Sequence, residues 1–269
     1  MRNIVRSEWI RIWRPSFLYG GTGVMAGFAA LVSVFIYVSA PTATAAPSPQ
    51  QPGPAGRFVA TVAQIARPGG FLTALAPVST LAGIILLALW ALCAAGDYST
   101  GVIRILVQAE PKRIKLLTGK MAALLLFTVF ATAATTLVVV LVARPLARLQ
   151  GIQIAAWKTD FFAHLFSGYL NFTIAAIVWG LIGLVLAVLT RSSALAIGIG
   201  IGWLLVVENL IGIVASDATP YLPGGTFNAL VSGGTTELGW LPALGLTLLY
   251  GAVAVSISLV AFHSRDITS

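Results

Sequence analysis

Six stretches of this chain, at about 17–39, 71–95, 117–142, 165–189, 193–211 and 240–262, are apolar for about 20 residues at a time. An α-helix rises about 1.5 Å per residue, so each run is long enough to cross a hydrocarbon core of about 30 Å. No soluble globule can be built from so many such runs. With 58% hydrophobic and only 9% charged residues, the chain falls far below the roughly 25% of charged residues that cover a typical soluble domain. The predicted fold class is an all-α integral membrane protein, a single transmembrane domain over 1–269 with six transmembrane helices. A net charge of +8 would suggest nucleic acid in a soluble protein. Here the basic residues sit beside the apolar runs, where topology explains them better.

Cysteine and histidine exclude two kinds of chemistry. Cys93 is the one cysteine, so no intramolecular disulfide can form, and His164 and His263 lie far apart in the sequence. No zinc or thiol site is expected. An intramembrane enzyme would need a nucleophile and a base at membrane depth. No Gly-x-Ser-x-Gly run is present, and the one candidate pair, His164 with Ser167, is a single helical turn apart. An ion channel or secondary carrier would show more buried charge or an internal repeat, and neither is evident.

The N-terminal residues 2–14, RNIVRSEWIRIWR, are not read as a signal peptide, because apolar runs continue to the end of the sequence. Val5, Trp9, Ile12 and Trp13 share one helical face, with Ser7, Arg11 and Arg14 opposite. That pattern predicts an interfacial elbow helix over 1–15, with Pro15 permitting a bend into the first span. Residues 40–70, rich at first in Pro, Ala, Ser and Gln, predict a flexible loop with a short surface helix over 57–66. Placing the N-terminus in the cytoplasm puts 11 of the 16 lysines and arginines on that side, so both termini are expected there and the 40–70 loop outside.

Between the second and third runs lies DYSTGVIRILVQAEPKRIKLLTGK, from Asp97 to Lys120. Its spacing fits a short helix over 98–109, with Asp97 or Ser99 able to cap it and Pro111 stopping it after Glu110. Val102, Ile105, Leu106 and Ala109 fall on one face; Gly101, Arg104 and Gln108 fall on another. The first face suits a membrane domain and the second a partner. A solvated loop with a chance stripe is the alternative. Gly101 costs a helix about 1 kcal/mol relative to Ala, and close approach of another backbone is one reason to keep it.

Small residues recur four apart at Gly23 and Gly27, Gly183 and Ala187, and Gly198 and Gly202. The preferred reading is packing within the chain, with helix backbones in close approach. The fifth run carries Glu208 and Asn209 near its end, followed by a Leu222-Pro223-Gly224-Gly225 break. A carboxylate at that depth is costly unless paired, hydrated or neutral, so Glu208 is a functional candidate; a side chain snorkelling to the outer interface is the alternative. Pro223 and the glycines predict that 212–238 forms an extracellular re-entrant helix pair rather than one continuous helix.

The whole plan resembles the membrane subunit of ABC type-2 exporters: an amphipathic N-terminus, six runs, the GDYSTGVIRILVQAEPKRIKLLTGK loop and the YLPGGTFNAL segment. The family's loop pattern matches Asp97, Gly101, Val102, Arg104, Pro111, Arg113 and Lys120, with Val102 where Thr or Ser is usual. The resemblance implies that the helix from Ser99 to Gln108 is a coupling helix seated on a separate ATPase subunit, with Asp97, Ser99, Gly101, Arg104, Gln108 and Arg113 making the coupling site. It also implies a second permease subunit, identical or paralogous, in the cell membrane. The sequence lacks a phosphate-binding loop, so this chain is not expected to be an enzyme by itself, and ATP and Mg are expected at the partner. Glu208, Asn209 and Pro223 become candidates for an outer gate.

Overall fold

A computed structural model of the chain describes the backbone of residues 15–40, 60–99 and 113–264, and side chains within 19–40, 60–96 and 116–261. The described residues form helices and no strands. The helices are α1 (Pro15–Ser39), α2 (Leu75–Ser99), α3 (Arg113–Leu149), α4 (Phe161–Thr190), α5 (Ser193–Gly202), α6 (Glu208–Val214), α7 (Pro223–Val231) and α8 (Trp240–Ser264). A π-turn at Trp203–Val207 joins α5 to α6 without a break. Counting that continuous unit once, six helices are long and apolar enough to cross a membrane, as the sequence predicts. The elbow helix expected over 1–15, most of the 40–70 loop, and Gly101, Arg104 and Gln108 lie outside the described residues.

The bundle is organised by α2 and α4, its most extensive helix pair. A Cβ at Gly83 would run into the Trp179 indole, one at Gly180 into the Trp90 indole, and one at Gly183 into the backbone carbonyl of Leu87. Bare glycine faces let the two backbones meet and give each indole a slot on the opposite helix, as small residues do in lipid. The other helices are arranged around this seam. α1 packs on α3, α5 lies against both α2 and α4, and α8 packs along α4.

Glycine is used differently elsewhere. Gly183 is buried in the seam and Ala187, one turn on, is buried too, in line with the expectation of internal packing. Gly23, Gly27, Gly198 and Gly202 have nothing within 4 Å of an added Cβ. The reason is helical phase: α1 turns its Met25, Ala29, Ile36 stripe inward and leaves Val24, Phe28, Leu31 and Phe35 exposed, and the two glycines share that outer side.

Several hydroxyls inside the bundle bond to the backbone of their own helix, while those of Thr22, Thr136 and Ser258 are buried without a partner. Ser33 donates to Ala29 O at 2.7 Å, Thr128 to Leu124 O at 2.9 Å and Thr247 to Ala243 O at 2.7 Å. Without water, an unsatisfied polar group costs several kcal/mol. Where helices must be joined, the same hydroxyls serve twice. Trp90 Nε1 donates to Thr128 Oγ1 at 3.1 Å, tying α2 to α3, and Thr132 and Thr173 hydroxyls meet at 2.9 Å between α3 and α4.

The two ends differ. At one, Tyr37 donates to Gly70 O, Trp157 Nε1 donates to Ile65 O at 2.8 Å, and Phe71 packs edge-on to Trp157 and stacks on Phe161. This aromatic knot binds α1 and the chain before α2 to the α3–α4 connection. At the other end, Lys120 is buried and its Nζ donates to Cys93 O at 2.9 Å, joining α3 to the last turns of α2. Arg191, in a left-handed conformation (φ 54°), closes α4, and Ser192 caps α5.

The seam makes a direct prediction. Gly183→Val must displace the Leu87 carbonyl and should lower stability by about 1–3 kcal/mol. Gly27→Val, which meets open space, should change it by less than about 0.5 kcal/mol. Thermal unfolding of both purified variants in one detergent measures the difference.

Candidate functional site

Glu208 stands at the start of α6, one residue past the π-turn. Its backbone N–H donates to Trp203 O, the five-residue bond of a π-turn, so residues 203 and 208 come to the same side of the helix. The side chains then meet. Trp203 Nε1 donates to Glu208 Oε1 at 3.0 Å. The widened turn also frees carbonyls that a regular α-helix would use, and Asn209 Nδ2 donates to Leu205 O at 2.8 Å. Asn209 therefore serves its own helix. Such turns are frequent at functional sites in helical proteins.

Glu208 is only 4% exposed, so it does not snorkel to an interface. It turns inward because α7 needs it. The first residues of α7 are Pro223, which has no N–H, and Gly224, and the N-cap Leu222 has no side-chain oxygen to offer. The Gly224 N–H donates to Glu208 Oε1 at 2.9 Å. A carboxyl from one helix thus caps the N-terminus of another, where the exposed N–H groups and the positive end of the helix dipole favour an acidic group. Gly224 packs directly on Glu208 Oε2, and a Cβ there would collide with it; a Cβ at Gly225 would collide with the Thr219 carbonyl. The Gly-Gly pair is required by this approach.

The preceding chain folds back in a 3-10 turn at Ser216–Tyr221. Thr226 Oγ1 donates to Pro220 O at 2.9 Å, and the Tyr250 hydroxyl on α8 donates to Tyr221 O at 2.5 Å. Phe227 meets Trp179 of α4 edge-on at 5.1 Å and Tyr250 at 6.1 Å. α7 is thereby held among α2, α4 and α8. Beside it, an apolar crevice of about 280 Å³ runs between α4, α5 and α8, with Pro223, Trp203 and Tyr250 in its wall.

Of the residues singled out from the sequence, Glu208 and Pro223 meet at one place, while Asn209 points back along its own helix. Asp97 and Ser99 lie in the last turns of α2 and Arg113 begins α3, with only their backbones described. His164 and Ser167 do not form a nucleophile–base pair: Ser167 Oγ donates to the backbone carbonyl of His164 at 3.1 Å. Trp203 and Gly224 were not anticipated. The Pro-Gly-Gly run marked the position of Gly224, but nothing local announces that its N–H needs a carboxyl from sixteen residues upstream. No group of three or more metal-ligating side chains occurs among the described residues. No protein-family model matches the sequence, and no curated protein matches it.

Glu208→Gln keeps an oxygen able to accept from Gly224 and Trp203, whereas Glu208→Ala leaves the buried Gly224 N–H and the part-buried Trp203 indole without it. Alanine should lower stability by about 1.5–3 kcal/mol and glutamine by much less. Thermal unfolding followed by tryptophan fluorescence reads both.

Proposed function

We propose that this chain is the permease subunit of an ATP-driven exporter of the ABC type-2 kind, providing the pathway across the cell membrane while a separate ATPase subunit hydrolyses ATP with Mg. The observation that carries this reading is the Lys120–Cys93 bond at the base of the 97–120 loop. The loop's sequence is the part that resembles a coupling helix, and the helices entering and leaving it are pinned together by a buried lysine. A push on the loop is then delivered to α2 and α3 as one body, and the α2–α4 seam carries it into the bundle.

In this mechanism the ATPase grips Gly101, Arg104 and Gln108, with Asp97, Ser99 and Arg113 at the loop's two ends. Two permease chains, identical or paralogous, enclose the path. ATP and cargo each favour one of two packings, inward-facing or outward-facing, and binding shifts the balance between them. The 212–238 segment acts as a re-entrant outer gate. Glu208 holds α7 by its N-terminus, so a helix only nine residues long moves with the fifth span instead of separately.

Gly101→Trp or Arg104→Glu should abolish co-purification of the ATPase and reduce transport severalfold at unchanged membrane yield. Full recovery of the ATPase with both variants would overturn the docking site. ATP hydrolysis should appear only in the complex, whereas activity from this chain alone would favour an enzyme.

Both termini are assigned to the cytoplasm. In a Cys93→Ala background, Ser48→Cys should react with an impermeant thiol reagent on intact cells and Thr268→Cys should not. The opposite labelling would invert the topology.

A further inference from the structure

A second space, larger than the crevice beside α7, is lined by residues other than Glu208. A cleft of about 1010 Å³ opens at the same end as the aromatic knot, between the chain before α2, the start of α4 and the C-terminal end of α7. α4 contributes His164, Ser167 and Asn171, at the three- and four-residue steps that place them on one helical face. Arg67, from the chain before α2, lines the same space, and among the described residues no aspartate or glutamate does.

Asn171 is the fixed point. It is 6% exposed, and its amide accepts from Trp240 Nε1 at 3.2 Å. An indole N–H can only donate, so the atom facing Trp240 is the oxygen, and the two N–H donors of the amide are the end left for the cleft. His164 is held against Gly69, which adopts φ +75°; a Cβ there would stand 3.1 Å from Nδ1. One guanidinium, one imidazole and an oriented amide donor, with no competing acid, make a wall suited to an oxyanion. Apolar side chains line the same cleft, among them Ile36, Leu72 and Val231. Drug-sized ligands occupy sites of about 300–1,000 Å³ that are mainly apolar with a few placed polar groups.

We propose that this cleft binds an amphiphile with an oxyanion head, a carboxylate or phosphate, the head meeting Arg67 and the Asn171 amide and the tail lying against Ile36, Leu72 and Val231. The site belongs to this chain alone and does not depend on the ATPase. Arg67 supplies the attraction that a neutral amphiphile lacks. Asn171 supplies direction, because its donors are already oriented before a ligand arrives.

The test is equilibrium binding of radiolabelled decanoate to the purified chain in nanodiscs of zwitterionic lipid, with empty nanodiscs as background. Saturable binding is expected, displaced by unlabelled decanoate and not by decanol at equal concentration. Arg67→Gln, at an exposed position, should weaken binding at least tenfold, as should Asn171→Leu; Arg144→Gln, outside the cleft, should leave it unchanged. Uptake equal to empty nanodiscs, equal displacement by decanol, or full affinity in Arg67→Gln would each overturn the proposal. Displacement by phosphatidylglycerol built into the nanodisc would identify a bilayer lipid as the source of the head group, and its failure would identify a solute from the aqueous side.

Discussion

The contact between Gly183 and the Leu87 carbonyl is the constraint on which the remaining architecture depends. With any side chain at that point α2 and α4 would stand farther apart, and neither indole would reach its slot. Trp90 fills the space over Gly180 and carries its N–H across to Thr128 on α3; Trp179 fills the space over Gly83 and offers its ring to Phe227 on α7. One close approach therefore sets the position of the third long helix and of the short helix near the cleft. Apolar surface alone cannot do this, since lipid tails are as apolar as leucine and reward no particular pairing.

Polar groups supply what greasy contact cannot, which is direction. Thr128, Asn171 and Glu208 each receive an indole N–H, from Trp90, Trp240 and Trp203 respectively. Tryptophan suits the task because its large apolar body packs like a core residue while its single N–H demands one acceptor at one place. Two of these bonds cross between long helices and the third locks a turn within one. The same economy appears at Lys120, whose long apolar stem is covered while its ammonium reaches a helix carbonyl.

The six long helices were legible because span length is a property of runs, and runs survive errors of several residues at either end. α3 still extends to Leu149, past the expected limit at 142, because Pro145 removes one N–H without ending the helix. Glu208 was legible as a candidate, since few carboxylates occur in such a run, but its burial was only one of two readings. Its partners were not legible: the Gly224 N–H comes from a later helix, and the Trp203 indole is brought round only by a local change of helical period. The cleft escaped notice for a related reason. His164, Ser167 and Asn171 look like scattered polar residues in an apolar helix until the neighbouring chain shows that they share a wall. The outward-facing glycines at 23, 27, 198 and 202 show the converse, a spacing that predicts close approach but not with which surface.

The π-turn at Trp203–Val207 amounts to one residue too many in an otherwise ordinary helix. Each residue of an α-helix advances the next by about 100°, so closing these same residues into regular α-helical turns would put Glu208 about 140° round the axis from Trp203 while leaving the hydropathy of the segment untouched. Glu208 would then look away from α7. What aims the acid at its target is a count, not a composition, and two sequences equally apolar along this helix can differ entirely in whether they possess the site.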